Sequence, residues 1–374
     1  MVSPSLSPSF RRLSAFPKRI VVKIGSSLLA REGRIHRPSV RRYVEFLTAL
    51  RARSEVALVT SGAVASADLE VGPGDALAAK QARAAVGQVH LMEMYRREFA
   101  RSDLRVGQLL LAETLLKHRL SWLNARNTLM TLFRYGVVPI INENDPVAVE
   151  ELKFGDNDAL GAIVSALVDA DLYVILSDVE GLFTDFGTAS ARLVEEVNKI
   201  DASVEREAGG SGSTVGTGGM ASKLRAAKIA GRYGVPTLIA SGRSPDLLQR
   251  VGIDMRGTLF HPERRTVKGP RAWMASALHL GGRLVVDGGA EAALTKKRSS
   301  LLPSGVTAVE GRFHAGDLVA VVNEEGREIA RGLVNYSSYE VQRIRGKKTH
   351  QIAETLGHAA HDEIIHRDHL LTSS

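Results

Sequence analysis

The sequence predicts an α/β fold, a three-layer α/β/α sandwich around a mostly parallel sheet, followed by a small β-rich domain. Over the first two-thirds of the chain, apolar runs of strand length alternate with longer helical stretches, which is the pattern of a parallel sheet covered on both faces. Short alternating runs bounded by glycine and turn residues follow. With 374 residues, the chain is long enough to form two domains.

Six strands and five helices make up the predicted α/β part. The strands are expected at residues 20–24, 55–60, 105–111, 137–141, 171–176 and 235–240. The helices are expected near residues 38–53, 76–100, 113–135, 157–169 and 220–233. The predicted strands of the second domain are shorter runs at residues 283–287, 317–322 and 328–334. In open α/β sheets, active residues lie on loops at the carboxyl ends of the strands.

The expected domain boundaries follow from shifts in composition. Residues 1–17 are rich in serine and basic residues and are expected to form a flexible extension. The α/β domain is expected at residues 18–265, a polar linker at 266–280, the β-rich domain at 281–360 and a C-terminal tail at 361–374. The sequence contains no apolar run long enough to cross a bilayer, and we expect a cytoplasmic protein.

The composition excludes several kinds of site. The chain contains no cysteine, so it has no disulfide framework, no thiolate metal site and no cysteine nucleophile. Its formal net charge is +8, and the surplus lies before residue 281, because the remainder carries equal numbers of basic and acidic residues. Such a surplus suits an acidic substrate or a nucleotide, and it lacks the clustered stripe that indicates nucleic-acid binding.

A glycine-rich turn at residues 216–219 leads into the last predicted helix, which carries Lys223 on its first turn. Glycines let the backbone approach an anion closely, while the helix N-terminus and the lysine supply positive charge. The spacing differs from the P-loop pattern G-x-x-x-x-G-K-[ST]. The turn therefore indicates a phosphate cradle of another kind, and the alternative is a glycine-rich linker that opens an ordinary helix.

Lys23 ends the first predicted strand, directly before a glycine-serine turn at residues 25–27. A lysine in a buried apolar run needs a partner for its charge, unless it reaches solvent at the strand end. Two lysines, each beside a glycine turn, indicate a site that gathers positive charge at one point. Phosphoryl transfer is such a chemistry, because negative charge spreads over the oxygens of the transferred group.

Polar turns follow three more of the predicted strands. The second strand ends in Thr60-Ser61-Gly62, the fourth leads into Asn142-Glu143-Asn144-Asp145, and the fifth leads into Ser177-Asp178. A further polar run, Gly155-Asp156-Asn157-Asp158, opens a predicted helix. One of these residues could simply cap that helix, but capping requires only one of the three side chains. The others are available to bind a substrate amine or to orient the lysines.

Together these motifs resemble the glutamate 5-kinases of the amino acid kinase family. The segments that carry the resemblance are residues 21–27, 59–63, 121–128, 141–146, 155–158, 216–223, 257–260 and 289–303. They span nearly the whole chain from Ile20 onward, and Ser299–Pro303 resembles the start of a PUA domain. The pair of motifs at residues 142–145 and 155–158 points to glutamate rather than aspartate, acetylglutamate, carbamate or UMP.

The resemblance implies the amino acid kinase fold and an ATP-dependent kinase that converts L-glutamate to L-glutamyl 5-phosphate, the first step of proline biosynthesis. It implies that Lys23 and Lys223 hold the transferring phosphoryl group and that Asp158 orients these lysines. Glutamate would be bound by Ser61, Asp145 and Asn157. The residues expected to bind ATP are Lys23, Ser177, Asp178, Thr217, Gly218, Gly219, Met220, Ala221, Ser222 and Lys223.

The chemistry of this reaction agrees with the residue types. A glutamate side chain has an ordinary pKa of about 4.3 and is already ionised at neutral pH, so no general base is required. The enzyme must bring one anion against another, which explains paired lysines and a Mg²⁺ ion bound with ATP. We predict no metal ligand from the protein itself.

The resemblance also implies inhibition by proline and assembly into dimers or tetramers. Two alternatives stay open: another amino acid kinase with an altered substrate, and an RNA-binding role through the PUA domain. Because the C-terminal part is electrically neutral, strong electrostatic binding to nucleic acid is not expected. The loop at residues 185–192 departs from the family's usual sequence, and its shape is left open.

Overall fold

A computed structural model describes most of the chain. The described residues are 16–67, 77–112, 119–147, 157–208, 219–244, 247, 256–262, 280–359 and 361–372. Nearly all of the expected N-terminal extension and linker, together with Thr217, Gly218 and the Gly155-Asp156 pair, lies outside them. The chain divides into two compact units at residues 269 and 270, and each unit is described by itself.

An eight-stranded sheet forms the centre of the first unit. The strands of this unit are β1 (Arg19–Ile24), β2 (Ala30–Arg31), β3 (Arg34–Ile35), β4 (Glu55–Thr60), β5 (Val106–Leu111), β6 (Val138–Glu143), β7 (Leu172–Ser177), β8 (Phe183–Thr184), β9 (Arg192–Leu193), β10 (Glu196–Val197), β11 (Thr237–Ser241) and β12 (Gly257–Phe260). The main sheet has the order β10-β12-β11-β7-β1-β4-β6-β5. Its neighbours are parallel except β11 and β12, which confirms the predicted sheet.

Two short antiparallel pairs lie outside the main sheet. Strand β2 pairs with β3, and β8 pairs with β9. The second pair encloses most of the loop whose sequence departs from the family pattern. Within this loop, the Thr188 hydroxyl donates to the Asp185 carbonyl oxygen at 2.8 Å, so the loop forms a local turn.

Eight helices occur among the described residues of this unit. They are α1 (Ser26–Leu29), α2 (Arg37–Arg51), α3 (Ala63–Ser66), α4 (Leu77–Ala100), α5 (Arg119–Arg134), α6 (Asn157–Leu167), α7 (Ala202–Ala208) and α8 (Met220–Arg232). The five long predicted helices are all present, and where the structure describes their ends the bounds lie within a few residues of those predicted; residues 113–118 of the third predicted helix lie outside the described residues. No helix in the described part of the chain is long and apolar enough to cross a membrane.

The central strands carry apolar residues on both faces, as expected for a parallel sheet between helical layers. Every residue of β7 is buried, as are the last five residues of β1. Helix α2 packs its apolar face on this sheet through a group of residues that includes Tyr43, Phe46 and Leu47. The polar ends of β1, β4 and β7 therefore project from a rigid core.

Helix α6 is buried from its second residue to its last, so its polar first turn is held inside the unit. The Tyr173 hydroxyl, from β7, donates to the backbone carbonyl oxygen of Asp158 at 2.8 Å. A Cβ atom at Gly161 would lie 2.3 Å from that hydroxyl, so only glycine leaves room for the tyrosine side chain. The sheet thereby fixes the turn that carries Asn157 and Asp158.

The second unit has a five-stranded sheet of its own, which confirms the β-rich prediction. Its strands are β13 (Gly282–Val286), β14 (Val306–Gly311), β15 (Leu318–Val322), β16 (Glu328–Leu333) and β17 (Leu370–Thr372), in the order β14-β13-β15-β16-β17. Its helices are α9 (Gly288–Lys297), α10 (Ser338–Ile344) and α11 (Ile352–Leu356). A separate apolar core, which includes Leu284, Val321 and Ile344, holds these elements together.

The expected C-terminal tail at residues 361–374 is corrected by the structure. Ile364 and Ile365 are fully buried, and the backbone of Ile365 pairs with Leu301. Strand β17 then pairs with β16 and forms an edge of the sheet. Two short apolar runs in a polar context indicate this packing in the sequence, because burying them against the domain is more favourable than leaving them exposed in a free tail.

Two glycines in helices of the first unit should respond oppositely to alanine. At Gly87 in α4, an added Cβ would lie 1.8 Å from the carbonyl oxygen of Ala63, a backbone atom that cannot yield without moving α3. We expect Gly87→Ala to lower the free energy of unfolding by about 3 kcal/mol. At Gly231 in α8, the nearest atom would be Pro262 Cα at 3.7 Å, an ordinary contact.

Gly231→Ala should therefore raise stability by up to about 1 kcal/mol, through helix propensity. Urea unfolding followed by circular dichroism measures both variants. Equal midpoints for the two variants would contradict the close approach of α3 and α4.

Candidate active site

A buried carboxylate joins the two lysines that the sequence singles out. Asp158 Oδ1 lies 2.6 Å from Lys23 Nζ, and Asp158 Oδ2 lies 3.3 Å from Lys223 Nζ. Asp158 is fully buried, and the lysines are 7% and 6% exposed. These three groups together carry one net positive charge, which suits an anionic ligand.

Three elements bring these side chains together. Lys23 lies on β1, opposite Val59 of β4 and Ile175 of β7 and one residue before the strand ends. Asp158 belongs to the first turn of α6, and Lys223 to the first turn of α8. The convergence predicted for the carboxyl edge of the sheet is thus observed for both lysines.

The charges of the two lysines decide the ionisation of Asp158. Burial acts to raise the pKa of this carboxyl, but the charges of Lys23 and Lys223 and their hydrogen bonds outweigh burial. The pKa of Asp158 consequently lies below its usual value, and the side chain is ionised at neutral pH. A carboxylate so buried is tolerated because it is paired and hydrogen-bonded.

The Ser222 side chain also reaches Asp158. Its Oγ lies 3.1 Å from Asp158 Oδ2 and 2.9 Å from the carbonyl oxygen of Gly219, and the residue is 6% exposed. Gly219 is the N-cap residue of α8, with an extended backbone. The described end of the glycine-rich turn thus leads directly into the lysine cluster, as the sequence predicts.

A chain of polar side chains runs beside this cluster. Asn157 Nδ2 donates to the Thr60 carbonyl oxygen at 2.6 Å, to Ser61 Oγ at 2.9 Å and to Asn142 Oδ1 at 2.8 Å. Asn142 Nδ2 in turn donates to Gln88 Oε1 at 2.8 Å. Since Asn157 uses its amide hydrogens on these groups, its Oδ1 is the atom available to accept from a ligand.

Asp145 lies in the short 3₁₀ helix Asp145–Val147 that follows β6. It lines a cavity of about 270 Å³ together with Gln88 of the polar chain and Glu143. The remaining lining residues are mostly small or apolar: Ala63, Ala84, Ala85, Val89, Gln108, Leu110 and Pro146. The cavity therefore places two carboxylates beside the polar chain that holds Ser61 and Asn157.

Ser177 and Asp178 lie at the end of β7, on the other side of β1. The Ser177 hydroxyl donates to Asp178 Oδ1 at 3.1 Å, and the Ser177 carbonyl oxygen accepts from the backbone N–H of Gly242 at 2.7 Å. Met220 and Ala221 open α8. Thr217 and Gly218, the other residues expected to bind ATP, lie outside the described residues.

Sequence reasoning missed the residues that link this site together. It assigned no role to Gln88, and it named Asn142 only as part of a motif. The sequence holds a weak signal for Gln88, because this polar residue occupies a position on the buried face of α4, between Ala84 and Leu91. The hydrogen bond to Asn142 explains why a polar residue is accepted there.

The chain belongs to the amino acid kinase family. The sequence profile described as "Amino acid kinase family" matches residues 18–241, and the profile described as "PUA domain" matches residues 282–356.

Several curated proteins that are similar to this chain carry the name Glutamate 5-kinase. The protein of that name from Geobacter sulfurreducens is 46% identical over 362 residues, which cover 95% of this chain and 97% of the relative. The one from Burkholderia multivorans is 44% identical over 370 residues, covering 96% of this chain and 99% of the relative. The one from Moorella thermoacetica is 44% identical over 363 residues, covering 95% and 96%.

Removing the Asp158 charge should change how stability depends on pH. Because the pKa of Asp158 is lowered in the folded chain, its contribution is complete above the unfolded value near pH 4 and is lost as pH falls through the folded value. We expect Asp158→Asn to lower the free energy of unfolding at pH 7 by roughly 3–5 kcal/mol, since two lysines stay buried without their partner.

Denaturant unfolding between pH 3 and pH 7 tests this expectation. The variant should lose less stability in acid than the wild type does. The exposed Asp103→Asn is a matched control, because asparagine tolerates the left-handed backbone at this position (φ 56°). Parallel curves for Asp158→Asn and the wild type would contradict the assignment.

Proposed function

We propose that this protein transfers the γ-phosphoryl group of ATP to the side-chain carboxylate of L-glutamate, giving L-glutamyl 5-phosphate and ADP. The observation that carries the proposal is the buried Asp158 bound to Lys23 and Lys223 at the carboxyl edge of the sheet. Relatives named Glutamate 5-kinase, matched over nearly the whole chain, support glutamate as the substrate.

In the proposed reaction, an ionised carboxylate oxygen of glutamate attacks the γ-phosphorus of ATP. The bond between that phosphorus and the β–γ bridging oxygen breaks, and ADP leaves with the electron pair. Lys23 and Lys223 would balance the charge on the transferred group, while Asp158 orients both ammonium groups beforehand. No proton moves in this step, which agrees with a cluster built without a histidine.

The amino acid would bind on the side of the polar chain. Asp145 would pair with its ammonium group, and the Oδ1 atom of Asn157 would accept a hydrogen bond from the same group. Ser61, held by Asn157 at 2.9 Å, would contact the substrate at the end of β4. The cavity lined by Asp145 and Gln88 offers carboxylates that can accept from the α-ammonium group and amide groups that can donate to a carboxylate of the substrate.

ATP would bind between the start of α8 and the end of β7, through the residues assigned above from the family resemblance. A Mg²⁺ ion bound with ATP would reduce the negative charge of the phosphates. Such an ion takes most of its ligands from phosphates and water, with one or two carboxylates. Among the described residues, no group of three or more acidic, histidine or cysteine side chains could hold a metal ion. Asp178 is the one carboxylate among the residues proposed to bind ATP.

The family resemblance supports further proposals about this enzyme. They are a cytoplasmic location, assembly into dimers or tetramers, and inhibition by proline as the end product of the pathway. The limits of the kinase domain stated from the sequence, residues 18–265, also stay a proposal, as does the start of the PUA domain at residue 281.

An assay with single amino acids tests the proposed function. Purified protein, ATP and Mg²⁺ are incubated with each amino acid in turn, and ADP release is measured. Hydroxylamine traps an acyl phosphate as its hydroxamate, so product formation is read separately from ATP hydrolysis. Glutamate should give the highest kcat/KM. A higher value for another amino acid would favour an altered substrate, and tight tRNA binding at physiological salt without kinase activity would favour the PUA-based alternative.

Lys223→Ala should lower kcat by roughly a hundredfold or more, the scale for losing one preorganised charge at a developing anion. Lys228→Ala is the matched control, because Lys228 lies on the same helix but is only partly buried and pairs with Glu205. Steady-state kinetics of both folded variants measure the effect. Near-normal turnover of Lys223→Ala would contradict the role assigned to this lysine.

Asp145→Asn should act on glutamate rather than on ATP. Losing a charge-assisted contact to the substrate ammonium should cost roughly 1.5–3 kcal/mol in kcat/KM for glutamate. The KM for ATP should change little, because Asp145 lies on the opposite side of the lysine cluster from the proposed nucleotide site. A variant that mainly raises the KM for ATP would place Asp145 on the nucleotide side instead.

A further inference from the structure

Ser222 stands in a motif expected to bind ATP, yet its side chain is turned toward Asp158. The residue is buried, and its Oγ lies 3.1 Å from Asp158 Oδ2. The other acceptor in reach is the carbonyl oxygen of Gly219 at 2.9 Å, which already accepts from the Ser222 backbone N–H at 3.1 Å. Because a hydroxyl has one hydrogen and a carboxylate is the stronger acceptor, the hydrogen goes to Asp158.

The two oxygens of Asp158 are held differently. Oδ1 forms a close ion pair with Lys23 at 2.6 Å, whereas Oδ2 has Lys223 at 3.3 Å and the Ser222 hydroxyl at 3.1 Å. In the proposed reaction, the Lys223 ammonium, which has three hydrogens, also donates to the transferred phosphoryl group. As negative charge develops on that group, the bond from Lys223 to Oδ2 weakens, and a fully buried carboxylate oxygen that loses part of its hydrogen bonding is costly.

We infer that Ser222 is a positioning residue, whose hydroxyl keeps Asp158 Oδ2 hydrogen-bonded while Lys223 serves the phosphoryl group. This inference rests on the proposed function. Ser222 and Lys223 are neighbours on the first turn of α8, so the same backbone segment delivers both donors to one oxygen. The serine hydroxyl therefore acts through Asp158 and Lys223, and Ser222 takes part in the proposed ATP site only by its backbone position on the first turn of α8.

This role predicts a particular pattern of kinetic constants. Only an interaction that is stronger in the transition state than in the ground state raises kcat. Since the hydroxyl matters most when Lys223 also donates to the phosphoryl group, Ser222→Ala should lower kcat by about tenfold, the lower end for a hydrogen bond to a charged group. The KM values for ATP and for glutamate should stay within about twofold of the wild type.

The test compares Ser222→Ala with Ser165→Ala. Ser165 is a fully buried serine of α6 whose hydroxyl donates to the Gly161 carbonyl oxygen at 2.7 Å, so its variant also deletes a buried hydroxyl but should leave kcat unchanged. Ser222→Cys is a second variant that keeps the side-chain volume and offers only a weak donor, and it should lose kcat like Ser222→Ala. It replaces the alanine variant if that one does not fold.

Thermal melts and full kinetics in both substrates decide the outcome. A raised KM for ATP with normal kcat would overturn the inference and assign the hydroxyl to the nucleotide. Normal kcat in both Ser222 variants would also overturn it, as would an equal loss of kcat in Ser165→Ala. The activity of the wild type toward glutamate is measured first in the same experiment. If the wild type does not phosphorylate glutamate, the proposed function itself is overturned.

Discussion

The structure of the first unit depends on one buried ion cluster, in which Asp158 holds Lys23 and Lys223. Each of these charges alone would be unfavourable at its position, since all three residues are almost completely buried. Together the three groups form ion pairs with one another, and the cluster keeps a net charge of one positive unit. The central strand β1, the buried helix α6 and the helix α8 are all placed so that this cluster can form.

The sheet order explains why these elements meet. Strand β1 lies between β4 and β7, so the ends of three adjacent strands border the lysine cluster. The polar chain from Ser61 to Gln88 lies on the β4 side, and Ser177 lies on the β7 side. In the proposed reaction, the amino acid and the nucleotide would then approach the phosphoryl group from opposite sides, as direct transfer between them requires.

Much of this arrangement could be predicted from the sequence, because its signals are local. The runs of β1, β4 and β7 are almost continuously apolar, and Lys23 beside a glycine turn is conspicuous in β1. The links between side chains were harder, since the bond from Asn142 to Gln88 joins residues 54 positions apart. No local pattern encodes such a bond. The prediction of a C-terminal tail was wrong for a related reason: Ile364 and Ile365 form a pair too short to predict a core element, and their burial depends on distant partners such as Leu301.

The burial of α6 along almost its whole length has a consequence for how the chain acquires its activity. Asp158 and Lys223 are separated by 65 positions, and Lys23 comes from the first strand of the unit. The cluster closes only after segments from both ends of this unit have come together around α6. A ribosome-bound or proteolysed chain that lacks either end would have no assembled anion site. Catalytic turnover therefore reports completed folding of the unit, and a fragment library screened for activity should yield a sharp threshold rather than a gradual decline.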